Sequence, residues 1–580
     1  MPTALDASLH ISAFENDQTL ITLRRKPISR FQWSSVMVAT LVIIGLTAKV
    51  RAQMSPPGTG SSRLPTISPN PRQSPRLQVQ PQINALPEGL HNPPKAQAPA
   101  EIHTGDWGVF NRDGGSAAGF GPVARYGTDP SAEDWSFLHD PILSKDVFDP
   151  LKFIPLNARK SIYLTLSGDE RLKNWLETRP FLGFQKPRDS GRMTMRGLYG
   201  ADLHLGPCFR VFAELLNGDA AGWNAYGYNA TYRTRLDLEQ LFGEVTVPLA
   251  GAKTGLKFGR QMFLDAPDYV LFARETPNVP LSWNGVRGYA IWPRVRVDLF
   301  DFVQTNTNPT PLLRDNENWN ARLFGGYESW VPPDFDFLGR PGHVFVDFFY
   351  LGYEYGGTAA AIPSATGTAS GSTLRHNYGT RTWGKAGPIE FSLGGIYQGG
   401  QFRDARGSEP REVSAYSINT VLGYRFTGIY THPLLALQSD LYSGGDDTRK
   451  TGRVGTFAAP YNPSTNYLDT TTYLAPSNLI DTGPVLEMAT SRTTLLRVKI
   501  PVFWRDSTND AVYGASRIYA FPRDDNGGFV GVTPQASFAW RITRHLSWTN
   551  DLARFFASRA LKAAGASNGT YSLSTLDFRF

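Results

Sequence analysis

The chain has 580 residues, 41% hydrophobic and 12% aromatic, with 56 glycines. Its formal charge is +7 and its mean hydropathy −0.29. So polar a chain is not a bundle of membrane-spanning helices, and its basic residues form no long run of the kind that binds nucleic acid.

Residues 1–52 read as a long n-region followed by a secretory signal. Arg24, Arg25, Lys26 and Arg30 precede an apolar stretch from Val36 to Ala48, which is 13 residues long. A spanning helix needs about 20. Val50-Arg51-Ala52 offers small residues at the −3 and −1 positions, so cleavage is expected after Ala52; an uncleaved anchor helix is the alternative. Residues 53–100 are rich in Pro, Ser, Gln and Gly. They cannot bury a core and are expected to form a disordered periplasmic lead. Residues 101–160 are mixed. Asp134 to Leu138 and Phe148 to Leu151 suggest short ordered pieces, packed on or in whatever follows.

From 161 to 580 no apolar run approaches about 18 residues. Period-2 stretches recur instead. Ile162, Leu164 and Leu166 alternate with Tyr163, Thr165 and Ser167. Met195, Tyr199, Ala201 and Leu203 alternate with Arg196, Leu198, Asp202 and His204. After the Gly206-Pro207 turn, Phe209, Val211, Ala213 and Leu215 alternate with Arg210, Phe212, Glu214 and Leu216. Val295, Val297 and Leu299 alternate with Arg296 and Asp298, and Leu496, Val498 and Ile500 with Arg497 and Lys499. Successive strand side chains point to opposite faces, so these strands have one apolar and one polar face.

A soluble sandwich turns the apolar face inward; an outer-membrane barrel turns it to lipid. The chain end discriminates. Leu576, Phe578 and Phe580 share one face of the last strand. A terminal aromatic of this kind resembles the signal read by the outer-membrane barrel assembly machinery, with Phe578 and Phe580 as its residues. With the secretory signal, this predicts an all-β fold: a transmembrane, antiparallel, up-and-down β-barrel over 161–580 in the cell outer membrane. At about 20–25 residues per strand and loop, roughly 16–20 strands fit.

With the apolar face outside, the polar parity lines a lumen. The expected lumen cations are Arg171, Lys173, Arg196, Arg210, Arg287, Arg296, Arg497 and Lys499. The expected lumen carboxylates are Asp169, Asp202, Glu214, Glu244 and Asp298. Rings of Arg and Lys favour anions, and guanidinium forks bind carboxylates in a bidentate way. Interspersed carboxylates keep each site weak, as transport requires. The competing reading is that each cation braces the wall through a salt bridge. Parity also slips by one residue at each bulge.

Several stretches resemble the alginate export family of outer-membrane proteins. These are Leu236 to Pro248 followed by Phe258-Gly259-Arg260-Gln261, and Thr276 to Val279 leading to Trp283-Asn284-Gly285-Val286-Arg287. Further on come Ser439 to Asp447, Ala475 to Asp481, Phe503 to Asp510 and Thr543 to Ser547. The similarity runs from about Asp134 to Phe580. It implies a monomeric barrel of about 18 strands. It also implies a basic lumen that passes polymannuronate-type chains out of the cell, gated by periplasmic and extracellular loops. Of the motif positions, Arg260 and Arg287 carry over as pore residues.

The expected function is therefore a passive, anion-biased outer-membrane pore that exports an alginate-like acidic polysaccharide. Its partners would be membrane lipid, the assembly machinery, the polysaccharide and a periplasmic export partner. A general or small-anion porin and a structural or adhesion barrel are the alternatives. An enzyme is disfavoured: there is no GxSxG elbow, and neighbouring acidic residues on a strand face opposite ways. No catalytic residue, metal ligand or cofactor is assigned. Cys208 is the only cysteine, and the nine histidines are scattered. Loop Ca²⁺ at Asp446-Asp447 or Asp524-Asp525 competes with a reading as solvated turns. Long surface loops are expected around Ser364 to Gly371 and Asn462 to Asn466.

Overall fold

The structure, a computed structural model, describes residues 126–580 apart from 185–188, 224–229, 272–273, 275, 311, 334, 357–370, 405–407, 447–450, 460–466, 515–516 and 520–526. The signal segment with Ala52, the proline-rich lead, Asp447, Asp524-Asp525 and the two predicted surface loops (364–370 and 462–466) lie outside the described residues.

The alternating sequence forms long antiparallel strands. They are β1 (Ile162–Thr178), β2 (Asp189–Leu205), β3 (Phe209–Trp223), β4 (Thr234–Leu249), β5 (Ala252–Gln261) and β6 (Trp283–Ile291). Next come β7 (Val295–Asn306), β8 (Asn316–Trp330), β9 (Arg340–Tyr355), β10 (Ser372–Ala386), β11 (Ile389–Arg403) and β12 (Arg411–Arg425). The last are β13 (Leu434–Tyr442), β14 (Leu479–Ala489), β15 (Thr494–Lys499 continued by Val502–Trp504), β16 (Phe529–Val532 continued by Gln535–Arg541), β17 (Leu546–Ala557) and β18 (Gly569–Arg579). Pro501 and Pro534 interrupt β15 and β16, because proline cannot donate to the ladder. The amide of Thr533 still donates to the Pro501 carbonyl at 3.0 Å, so the two gaps stitch together.

Each strand pairs with its predecessor, and β18 pairs back onto β1 from Asp169↔Arg579 to Thr178↔Thr570. The sheet is thus a closed barrel of 18 strands, with no free edge. Its closure is sealed at the base. Phe580 and Gly168 exchange backbone hydrogen bonds of 3.0 and 2.9 Å. The Phe580 ring lies where a Cβ on Gly168 would be, so the close approach requires glycine there. Phe148 then stacks on Phe580 at 5.1 Å and meets Phe578 edge-on at 5.9 Å. Beyond the end of β18, Ile154–Pro155 takes over as the neighbour of β1.

The outer face carries the signature of a bilayer. Tyr350, Tyr378, Tyr397 and Tyr416 stand in register on β9 to β12, forming one aromatic row. On β12 the outward residues run Tyr416, Ile418, Thr420, Leu422, Tyr424, with Ile418 51% and Leu422 53% exposed. Eight residues at about 3.4 Å, tilted by about 40°, separate the two tyrosines by roughly 20 Å, close to the apolar band of an outer-membrane barrel. Trp330 and Trp540 add outward aromatics at the periplasmic ends of β8 and β16. Among the described residues no helix is long and apolar enough to cross a membrane.

Short turns join the strands at the end where residues 126–161 and Phe580 sit; the other end carries the longest connections, 262–282, 443–478 and 505–528. Short periplasmic turns and long extracellular loops orient the barrel accordingly.

Candidate functional site in the barrel lumen

The inward parity on β1 is Thr165, Ser167, Asp169, Arg171, Lys173, Trp175 and Glu177, all buried. On β2 it includes Arg192, Arg196 and Asp202, and on β7 Arg296 and Asp298. Arg210, Glu214, Glu244, Arg287, Arg497 and Lys499 also lie on the inward faces of their strands. Arg260 does not. It shares the outward parity of Leu256 and Phe258, which are 54% and 71% exposed. Its guanidinium is fastened to the outer wall by Asn284 Oδ1 at 3.0 Å and the Leu238 and Asp315 carbonyls at 2.8 and 3.1 Å. It is a rim clamp, and the expectation of a pore residue is corrected.

The lumen charges are mostly spent on one another. Asp298 accepts from Arg287 Nε at 2.8 Å and from Arg296 Nε at 2.6 Å. Asp169 holds Arg196 and Arg579, each at 3.1 Å. Arg210 bridges Glu244 at 2.7 Å and Asp202 at 3.5 Å. Lys499 lies 3.8 Å from Asp481. The same pattern recurs at positions that the sequence reading missed: Arg192 with Glu177, Arg381 with Asp347, and Arg425 with Glu390 and Glu487. Their alternation with outward residues was available as a signal. Lys257, also missed, differs. It has no carboxylate within ion-pair distance among the described residues, and its ammonium rests 4.2 Å over the Phe242 ring.

Two long connections turn inward rather than outward. In 262–282, Asp265 bonds Arg287 and lies 3.5 Å from Arg296, while Asn278 donates to the Met195 and Tyr232 carbonyls at 2.9 and 3.0 Å. Arg171 and Lys173 each reach this segment at 3.4 Å, through the Asn278 carbonyl and Thr276 Oγ1. In 443–478, Lys499 donates to the Tyr467 carbonyl at 2.9 Å, and Tyr473 Oη donates to Glu177 at 2.9 Å. The two segments meet in the middle, with the Tyr269 and Tyr467 rings 5.4 Å apart. Tyr269 reaches the far wall at Gly394, where a Cβ would strike its hydroxyl. These residues, with Val270, Leu271, Phe457, Leu468 and Leu474, join inward residues of most strands in one buried apolar cluster. The described parts of the two segments thus pack across the lumen at that level.

The resemblance motifs explain themselves here. Ser439 to Asp446 and Phe503 to Asp510 knit the extracellular loops. Asp506 accepts from the Gly444 amide at 2.8 Å and Asp510 from the Gly445 amide at 2.7 Å. Thr543 to Ser547 forms a periplasmic turn whose His545 Nε2 sits 3.0 Å from Asp146. Among the described residues no group of three or more His, Cys, Asp or Glu is arranged to hold a metal ion.

The periplasmic mouth is occupied by residues 126–153. Tyr126, Trp135, Phe137 and Leu138 form a small core. Lys152 pairs with Glu133 at 3.6 Å and lies over the Trp135 ring at 5.0 Å. Burial pushes the Glu133 carboxyl up, and burial pushes the Lys152 ammonium down, each partly offset by the other's charge.

A family model described as alginate export matches residues 162–574. No curated protein matches the sequence. Among solved structures, OccK1 (OpdK) of Pseudomonas aeruginosa is 10% identical, with 72% of this chain and 98% of that one covered and a TM-score of 0.46. OccAB3 of Acinetobacter baumannii is 9% identical, with coverage of 72% and 99% and a TM-score of 0.45. A BenF-like porin from Pseudomonas fluorescens Pf-5 is 9% identical, with coverage of 72% and 99% and a TM-score of 0.44.

Proposed function

Because the chain belongs to the alginate export family, we propose that this outer-membrane pore is a passive, anion-biased conduit for an acidic, alginate-like polysaccharide leaving the cell. A closed barrel holds no energy source, so flow follows the gradient or a periplasmic export partner. The observation that carries the reading is the run of inward cations along the wall. Arg210 and Arg296 stand beside the periplasmic turns, Lys257, Arg287 and Arg196 higher, and Lys173, Arg192 and Arg375 towards the loops. Most already bind a wall carboxylate. An incoming uronate can take that carboxylate's place at each step, so no site binds tightly and the chain moves on. The same carboxylates also favour a second reading, a pore for small anions, in which no polymer is needed.

The two readings separate in planar bilayers, using protein whose inward loops have been shortened. Polymannuronate on the periplasmic side should block an anion-selective current, and Lys173→Glu with Lys257→Glu should turn the selectivity towards cations. An anion current indifferent to polymannuronate would leave the small-anion pore. A cation-selective current without block would end both.

A further inference from the structure

The tip of the segment in the periplasmic mouth carries a carboxylate into the lumen. Asp129 Oδ1 accepts from Gln240 Nε2 at 3.0 Å. The same amide nitrogen donates to Glu214 at 3.2 Å, so one glutamine bridges two acids. Glu214 is fully buried, and its other oxygen has no hydrogen-bond partner. Arg210 follows Glu214 down the same inward face, and Lys257 stands in register with Glu244, the carboxylate that Arg210 holds. Here a carboxylate is held by an amide on an inward face that carries a guanidinium and an ammonium.

The hold on the segment is uneven. Its base is fixed by Phe148 on Phe580, by Asp146 on His545, by Lys152 with Glu133, and by Ile154–Pro155 on β1. Tyr126 belongs to that base too, its ring 4.7 Å from His545 and 5.3 Å from Trp135 and its carbonyl accepting from Arg579 at 3.3 Å, whereas the tip between Tyr126 and Glu133 reaches the wall through the Gln240 bond. The base is built to stay and the tip to let go.

We propose that residues 127–132 are a releasable anionic plug of the periplasmic entrance. Asp129 holds the place that a carboxylate or sulfate group of an entering polyanion takes beside Gln240, Arg210 and Lys257. The plug yields when the polymer competes for those groups, so entry and opening are one event. The identity of the polymer rests on the function proposed above; the plug itself does not.

The test uses the full chain in detergent, with Cys208→Ser and a reporter thiol at Ser131→Cys. Ser131 is buried, and its hydroxyl makes no hydrogen bond, so the change is nearly isosteric. Maleimide should label this thiol slowly. Adding Gln240→Ala should speed labelling about fivefold, the population change for one lost hydrogen bond. Polymannuronate or dextran sulfate should also speed labelling of the reporter chain. If dextran sulfate acts and polymannuronate does not, the plug stands and the polyuronate cargo falls. If neither polymer nor Gln240→Ala changes the rate, the plug is refuted.

Discussion

Excising residues 266–271 and 456–474 together, with short glycine-serine linkers in their place, is expected to raise single-channel conductance in planar bilayers by roughly tenfold, because an empty barrel of this strand number leaves an aqueous channel. The two segments reach across the lumen from opposite sides. Tyr269 crosses to Gly394 on β11, and Tyr473 crosses to Glu177 on β1. Removing one alone leaves the other packed against the wall, so the single excisions should give much smaller increases. Asp265 is kept, so that Arg287 and Arg296 retain their loop partner. A double excision that folds but conducts like the parent would show that these segments do not obstruct the path.

Asp298→Ala is expected to destabilise the barrel by about 3 kcal/mol or more, because it leaves buried charge without its partner. Asp298 is 1% exposed, and it neutralises both Arg287 and Arg296. Asp265 alone would then face two guanidinium groups. The control is Asp301→Ala. Asp301 forms a bidentate pair with Arg322 at 2.8 and 2.5 Å, as good in geometry, but both side chains are nearly half exposed on the outer rim. Solvent screening should hold that loss below about 1 kcal/mol. Urea unfolding from lipid vesicles measures both. Equal losses would mean that the lumen network is as well solvated as the rim.

The strands were legible because their chemistry is local. The alternation at Ile162 to Ser167 and at Val295 to Leu299 announces two faces without reference to any other part of the chain. The same rule was available at Leu256, Phe258 and Arg260, where it places the arginine outside. Motif membership pointed the other way, and Arg260 instead clamps Asn284 and the Asp315 carbonyl on the outer side. The packing of the two segments across the lumen was not legible. Whether a loop points outward or inward depends on partners far along the chain, as with Tyr269 and Gly394. Nor does the sequence announce that the Asp506 and Asp510 carboxylates serve glycine amides on another loop. Interior charges such as Asp347 and Arg381 were readable as polar, but their mutual neutralisation appears only once adjacent strands stand in register.

All of this depends on which side of each strand faces acyl chains. Leu393 lies outward on β11 opposite Thr420, midway between the two tyrosines of β12, and Ile389 lies on the same face opposite Tyr424 at the lower aromatic level. In vesicle folding titrations, Leu393→Arg should cost about 2–4 kcal/mol and Ile389→Arg about 1 kcal/mol or less, following the depth dependence of a charge on the lipid face. Equal costs at the two depths, or a variant that folds without lipid or detergent, would contradict the membrane orientation.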